Sequence, residues 1–261
     1  RSLYTSPDAM SEDFFFDWKG ENEASLAHKH RFITKAYIEE WMAKEDEIRR
    51  KIKSLIIREL HLMEVSGRNL VVTDVILKYV IKTLQRDLEL MASEGVDMFE
   101  ILGSEVRVTG QFCGQRFKGF IDRLDSFHPG EIRVVDYKTG RVLEDDQNIT
   151  DENAEAIADK IFAPDEKERP KIALQFYIYD LLLPQKRRDC AEKQIFNCVY
   201  STSKIFREAP VTVALNKKFY DAVSGHLEKM IDEMCDPEVG FRRTQDEKIC
   251  GFCDFRTICG R

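Results

Sequence analysis

Two short runs separated by a turn signal restrict the fold of this chain more than any other feature. Gly119-Phe120-Ile121-Asp122-Arg123-Leu124-Asp125 is followed by Val134-Val135-Asp136-Tyr137-Lys138-Thr139-Gly140, and the link Ser126-Phe127-His128-Pro129-Gly130-Glu131 carries a Pro-Gly pair. The spacing predicts an antiparallel β-hairpin. Side chains alternate faces along a strand, so Ile132, Val134, Asp136 and Lys138 share one face, and Arg133, Val135 and Tyr137 the other. On the first strand Phe120, Asp122 and Leu124 share a face, opposite Ile121, Arg123 and Asp125. Pairing the strands sets Asp122 beside Asp136, with Lys138 two residues further along the same face.

Hard oxygen donors of this kind suit Mg²⁺ or Mn²⁺, and Mg²⁺ in particular keeps several waters and needs few protein carboxylates. A metal so held lowers the pKa of a bound water and neutralises charge on a phosphate. A lysine beside it positions the nucleophile or stabilises developing negative charge. A lone Asp-x-Lys on a strand is more often a pair of solvated surface charges; its combination with Gly-x-Ile-Asp-Arg-x-Asp favours hydrolysis of a phosphodiester. Arg123 and Asp125, on the opposite face, read as a salt bridge that holds the hairpin and not as catalytic groups.

Together with Gln175-Phe176-Tyr177-Ile178-Tyr179, these runs resemble successive motifs of the PD-(D/E)XK nuclease superfamily. More narrowly they resemble its RecB-like exonuclease branch, including the nuclease domain of AddB-type helicase–nuclease subunits. The resemblance spans about Glu105 to Cys259 and keeps the family's motif order. It implies an α/β fold, a restriction-endonuclease-like mixed β-sheet flanked by helices. A helical lobe is expected over residues 1–100 and the nuclease core with a C-terminal cysteine motif over 101–261. The resemblance further implies Asp122, Asp136 and the carbonyl of Tyr137 as ligands of Mg²⁺ or Mn²⁺, and Lys138 as the residue assisting the attacking water. Gln175 and Tyr179 would be catalytic through positioning the DNA strand. Residues 171–183 read as a helix on which Gln175 and Tyr179, four apart, stack on one face beside the stripe Leu174, Ile178 and Leu181. Without the family they read equally as boundary residues of a packed helix.

The implied activity is that of a metal-dependent DNA exonuclease, a Mg²⁺-dependent deoxyribonuclease. Its expected setting is a helicase–nuclease of DNA repair and recombination. The expected partners are DNA and a helicase subunit or a helicase domain of the same parent chain. The rival from a different class is a non-catalytic, nuclease-like module that binds DNA or a partner subunit.

The C-terminal run Cys250-Gly251-Phe252-Cys253-Asp254-Phe255-Arg256-Thr257-Ile258-Cys259 places three cysteines at C-x2-C-x5-C spacing. Cys250, Cys253 and Cys259 are an incomplete set for tetrahedral Zn²⁺ or a [4Fe–4S] cluster. In the iron–sulfur members of the RecB-like branch, a matching triplet joins one cysteine upstream of the first nuclease motif; no cysteine precedes Cys113 here. The fourth ligand lies on a segment outside this sequence (the favoured reading), or Cys235 completes a local zinc site, or the triplet carries no metal. Cys113, Cys190 and Cys198, in or beside strand-like segments, read as small buried thiols.

The family places a further ligand histidine on a helix ahead of the sheet, in a Gly-x-x-x-His context. Ala24-Ser25-Leu26-Ala27-His28, followed by His30, keeps the step but has Ala24 in place of the glycine, so both histidines read as surface residues. Ser2-Leu3-Tyr4 reads as the tail of a helix already under way. The expectation is a C-terminal piece of a longer protein that starts just after the first motif and lacks full activity alone.

Composition fits a soluble cytoplasmic domain: 261 residues can bury a large core, and neither a membrane-length apolar run nor a signal peptide is present. Seven cysteines, three of them clustered, favour metal ligation in a reducing compartment over a disulfide framework. The net charge of −7 excludes a broadly basic surface, which leaves phosphate contacts to local patches. Arg49-Arg50-Lys51, Lys186-Arg187-Arg188 and Arg242-Arg243 are the candidates, each more often a solvated face. No Gly-rich phosphate loop is present.

Apolar periodicity predicts one long helix over 38–60 and a second from a cap near Thr73 or Asp74 to Met91. Strands are expected at 105–108, 116–127 and 132–139. The acidic stretch 144–169, with weak helical character at 153–162, reads as a mobile insertion. A strand at 194–201, a shorter one near 211–214 and a helix over 217–234 complete the chain.

Overall fold

The computed structural model describes residues 31–164, 166–240, 244 and 247–260. Ser2, Leu3, Tyr4, Ala24, His28, His30, Arg242 and Arg243 lie outside these residues. The mixed sheet flanked by helices is present: six strands in the order β1-β2-β3-β4-β5-β6. These are β1 Arg31–Thr34, β2 Met98–Phe112, β3 Gln115–Ser126, β4 Glu131–Lys138, β5 Gln194–Ser201 and β6 Val211–Val213. The helices are α1 Lys35–Ala43, α2 Glu45–Glu59, α3 Arg68–Ser93, α4 Ala154–Phe162, α5 Lys171–Lys186, α6 Lys217–Cys235 and α7 Glu247–Cys250. Strand β1 was not visible in the sequence, and β2 starts seven residues before the expected position (98 against 105).

The chain packs as two units whose segments alternate in sequence. The first is drawn from the described parts of 31–108, 120–141 and 187–212, the second from those of 109–119, 142–186 and 213–260. In the first unit Ile48, Ile52 and Ile56 of α2 and Leu77, Leu84 and Met91 of α3 present apolar stripes at helical spacing. They share one core with Trp41 of α1 and Phe99 of β2. The hairpin expected from the Pro-Gly signal forms as β3 and β4, antiparallel, and β4 pairs with β5 in parallel.

The long helix expected over 38–60 is two helices. Lys44 leaves helical geometry (φ −100°, ψ 47°), and Glu45, Asp46 and Glu47 then occupy the first turn of α2. Three acidic side chains at a helix N-terminus complement its dipole, which favours a fresh start over continuation. Helix α3 begins before the expected cap, directly after Gly67, whose φ of +54° is a left-handed conformation natural to glycine. The Thr73 hydroxyl donates back to the Asn69 carbonyl at 2.8 Å inside the helix, and Asp74 pairs with Arg49.

In the second unit the acidic stretch folds around α4, which buries Ala154, Ile157, Ala158 and Ile161. Asp146, from a short 3₁₀ turn, accepts from the N–H groups of Ile172 and Ala173 at 2.8 and 3.1 Å. A carboxylate 26 residues upstream thus caps the first turn of α5. Asp146→Ala is expected to lower the unfolding free energy by about 1–2 kcal/mol in urea denaturation; an unchanged midpoint would show that the cap contributes nothing. Strands β2 and β3 meet through Cys113 and Gly114, with φ of +46° and +72°, the pattern of a type I′ turn. Cys113 is therefore an exposed turn residue and not the buried thiol expected from sequence, whereas Cys190 and Cys198 are buried. Among the described residues, no helix is long and apolar enough to cross a membrane.

Candidate active site

Register places the first three candidate residues. Arg123 pairs with Val135, Leu124 with Val134 and Asp125 with Arg133. One step further in the same register Asp122 stands opposite Asp136, and residues opposite each other in a pair share a face. The Lys138 ammonium lies 2.7 Å from Asp136 Oδ2. The Tyr137 N–H donates to Asp122 Oδ2 at 2.8 Å, so main chain fixes one carboxylate and a cation accompanies the other. Asp136 is 3% exposed. A carboxylate that deep requires compensation, and the paired Lys138 supplies part of it.

Two opposed carboxylates fit a hard divalent cation that retains most of its waters, as Mg²⁺ does. Among the described residues no group of three His, Cys, Asp or Glu side chains is gathered closely enough to hold a metal. The pair Asp122 and Asp136 meets the smaller need of Mg²⁺ or Mn²⁺. The cysteine triplet does not meet the four-ligand need of Zn²⁺ or a [4Fe–4S] cluster. Cys250, Cys253 and Cys259 lie in and after α7 in a run of turns, with Cys253 exposed. Cys235, the local alternative for a fourth ligand, accepts from Gln115 Nε2 at 3.6 Å.

Gln175 and Tyr179 belong to α5 in the second unit, whereas Asp122, Asp136, Tyr137 and Lys138 belong to the first. The expected one-face stacking is present: Gln175 Nε2 donates to the Tyr179 hydroxyl at 2.6 Å. Tyr179 is buried, with its ring edge-on to Phe176. Of the basic runs, Arg49 is tied to Asp74 and Lys51 lies 4.6 Å above the Trp41 ring. Arg187 donates to Asp189 at 2.7 Å and to the Leu102 carbonyl at 3.2 Å. These contacts are structural.

The reverse face of the hairpin carries a buried charged group of which the sequence disclosed only a part. Arg123 Nε meets Asp125 Oδ2 at 2.8 Å, the expected salt bridge. The two Arg123 Nη groups also grip Asp87 of α3 in a two-pronged pair, at 3.0 Å each. Arg133 closes on Asp125 with bonds of 2.7 and 2.9 Å. The hydroxyl of Tyr200 donates to Asp87. Burial alone would lower the pKa of the Arg123 guanidinium, but Asp87 and Asp125 among its neighbours outweigh it and raise it well above its ordinary value. Burial pushes the Cys198 thiol up to about 11, so it stays protonated and is not a nucleophile at neutral pH. Asp87 did leave a signal in the sequence: it lies between Leu84 and Met91 on the apolar stripe of α3, where a lone carboxylate demands a buried cation.

The profile of the PD-(D/E)XK nuclease superfamily matches residues 19–260. No match is found among curated proteins. Among solved structures, one described as a candidate exonuclease from Eubacterium rectale is similar at 13% identity. The match covers 88% of this chain and 80% of that one, with a TM-score of 0.36.

Proposed function

This chain belongs to the PD-(D/E)XK nuclease superfamily, and from that premise we propose that it is a metal-dependent deoxyribonuclease that trims DNA from an end. The opposition of Asp122 to Asp136 with Lys138 at 2.7 Å is the observation that carries this reading. In the finer proposal the chain belongs to the RecB-like branch and serves as the nuclease part of a helicase–nuclease in DNA repair and recombination. The motif order Asp122, Asp136-x-Lys138, Gln175-x-x-x-Tyr179 supports that placement.

Asp122 and Asp136, with the carbonyl of Tyr137, would hold Mg²⁺ or Mn²⁺. When bound, the metal supplies positive charge for the scissile phosphate and acidity for the attacking water. The protein's own groups do the rest. The Tyr137 N–H restrains Asp122 by a hydrogen bond to Oδ2, which limits the reorientation its carboxylate would undergo on binding. Lys138, at the C-terminal end of β4, is a mobile donor that can orient a water or meet charge as it develops on phosphate oxygen. Gln175 and Tyr179 are assigned to positioning of the DNA strand, and their mutual hydrogen bond fixes the pair as a unit.

The test is cleavage of end-labelled linear DNA by this chain and by a form extended at its N-terminus. Progressive shortening of the label in Mg²⁺ or Mn²⁺, and none in EDTA, is the expected result. DNA bound by both forms without metal-dependent cleavage would identify the rival, a nuclease-like binding module.

A further inference from the structure

One residue joins the two faces of the hairpin. Tyr137 follows Asp136 and precedes Lys138, and its N–H donates to Asp122 Oδ2 on the carboxylate face. Its ring lies on the reverse face, where the phenol oxygen accepts from Arg123 Nη1 at 2.8 Å. The same ring packs against Tyr200 on the neighbouring strand, with centroids 5.3 Å apart. Arg123 is itself fixed by Asp87 of α3 and by Asp125. A continuous chain of contacts therefore runs from α3 through Asp87, Arg123 and the Tyr137 ring to the Tyr137 main chain and Asp122.

Stability alone gives a poor account of this arrangement. Arg123 and Arg133 balance Asp87 and Asp125, and all four are removed from water to a large degree. Desolvation of such groups commonly cancels their attraction, and apolar side chains of similar volume often serve as well or better. An apolar replacement could pack against the Tyr137 ring, as Tyr200 does, but could not donate a hydrogen bond to its phenol oxygen. The ring and the N–H are carried on one residue and related by its φ and side-chain torsions, so a ring held at its phenol and at its face restrains the backbone that directs the N–H. That N–H is the group that orients Asp122.

We propose that Arg123 and the phenol of Tyr137 are positioning residues for the metal site, acting through the Tyr137 main chain on Asp122. This inference rests on the reading of Asp122 and Asp136 as metal ligands. Outer groups that orient metal ligands typically change affinity by about 10- to 100-fold when removed, and the lower end is expected for a contact relayed through main chain.

The experiment is titration calorimetry of Mn²⁺ into the full chain without DNA, comparing wild type, Asp122→Asn, Tyr137→Phe, Arg123→Lys and the remote core variant Ile56→Val. Circular dichroism melting accompanies each. Wild type is expected to bind, Asp122→Asn to lose binding, and Tyr137→Phe to bind about tenfold more weakly. Ile56→Val, destabilised to a similar extent, is expected to keep wild-type affinity. Should Arg123→Lys fail to fold, Tyr137→Phe decides the matter alone. Wild-type affinity in a folded Tyr137→Phe overturns the positioning role and leaves the metal site standing. No binding by wild type, or unchanged binding by Asp122→Asn, overturns the site itself and this inference with it.

Discussion

Asp136→Asn is expected to leave the chain folded and to lower the single-turnover rate of DNA cleavage by about a thousandfold or more. Asparagine has nearly the volume of aspartate, so the buried position is filled. The negative charge is lost from an atom that lies 2.7 Å from the Lys138 ammonium and faces Asp122 across the strand pair. Lys138 loses its charged partner, and the metal of the proposed site would lose a ligand in the same step. Lys138→Met is expected to cost about a hundredfold or more by removing the donor alone. The double variant should be hardly worse than Asp136→Asn, because residues acting as a unit are not additive. Circular dichroism and melting distinguish loss of chemistry from loss of fold. Cleavage that survives both substitutions would sink the assignment of this site.

The second large effect is expected on stability. Arg123→Ala leaves Asp87, at 0% exposure, without its two-pronged cation. Breaking one partner of a buried pair typically costs about 3–5 kcal/mol, because the other charge stays buried. Asp87→Ala should cost a similar amount by leaving Arg123 beneath the Phe99 and Tyr200 rings. Replacing both together, as Asp87→Leu with Arg123→Met, should recover much of that loss and reveal the pair as a coupled unit. Urea denaturation of the two single variants and the double variant measures this directly. Single variants that cost less than about 1 kcal/mol would place them in the range of exposed ion pairs, against the burial seen here.

The hairpin and its carboxylates were legible in the sequence for a physical reason. Strand alternation has a period of two, so a turn signal between two short runs suffices to state which side chains share a face. The helix of Gln175 and Tyr179 was legible in the same way, from a spacing of four. The break at Lys44 was not, because Trp41 and Ile48, seven residues apart, keep the apolar stripes of the two helices in phase across it. Only the cluster Glu45-Asp46-Glu47 marks the second start, and a cluster of exposed acids is common inside helices too. The cap on α5 comes from Asp146, far upstream of the helix it serves, and periodicity carries no information on contacts of that range. The sequence shows Arg123 only as half of a local pair with Asp125. Its stronger, two-pronged partner Asp87 lies 36 residues away in helix α3, and only its odd position on an apolar stripe hinted at it.

Anomalous diffraction from crystals of the chain soaked in Mn²⁺ locates the bound metal without recourse to activity. One strong peak is expected between the carboxylates of Asp122 and Asp136, lost from crystals of Asp136→Asn. A peak elsewhere, with none between those two carboxylates, would contradict their assignment as metal ligands.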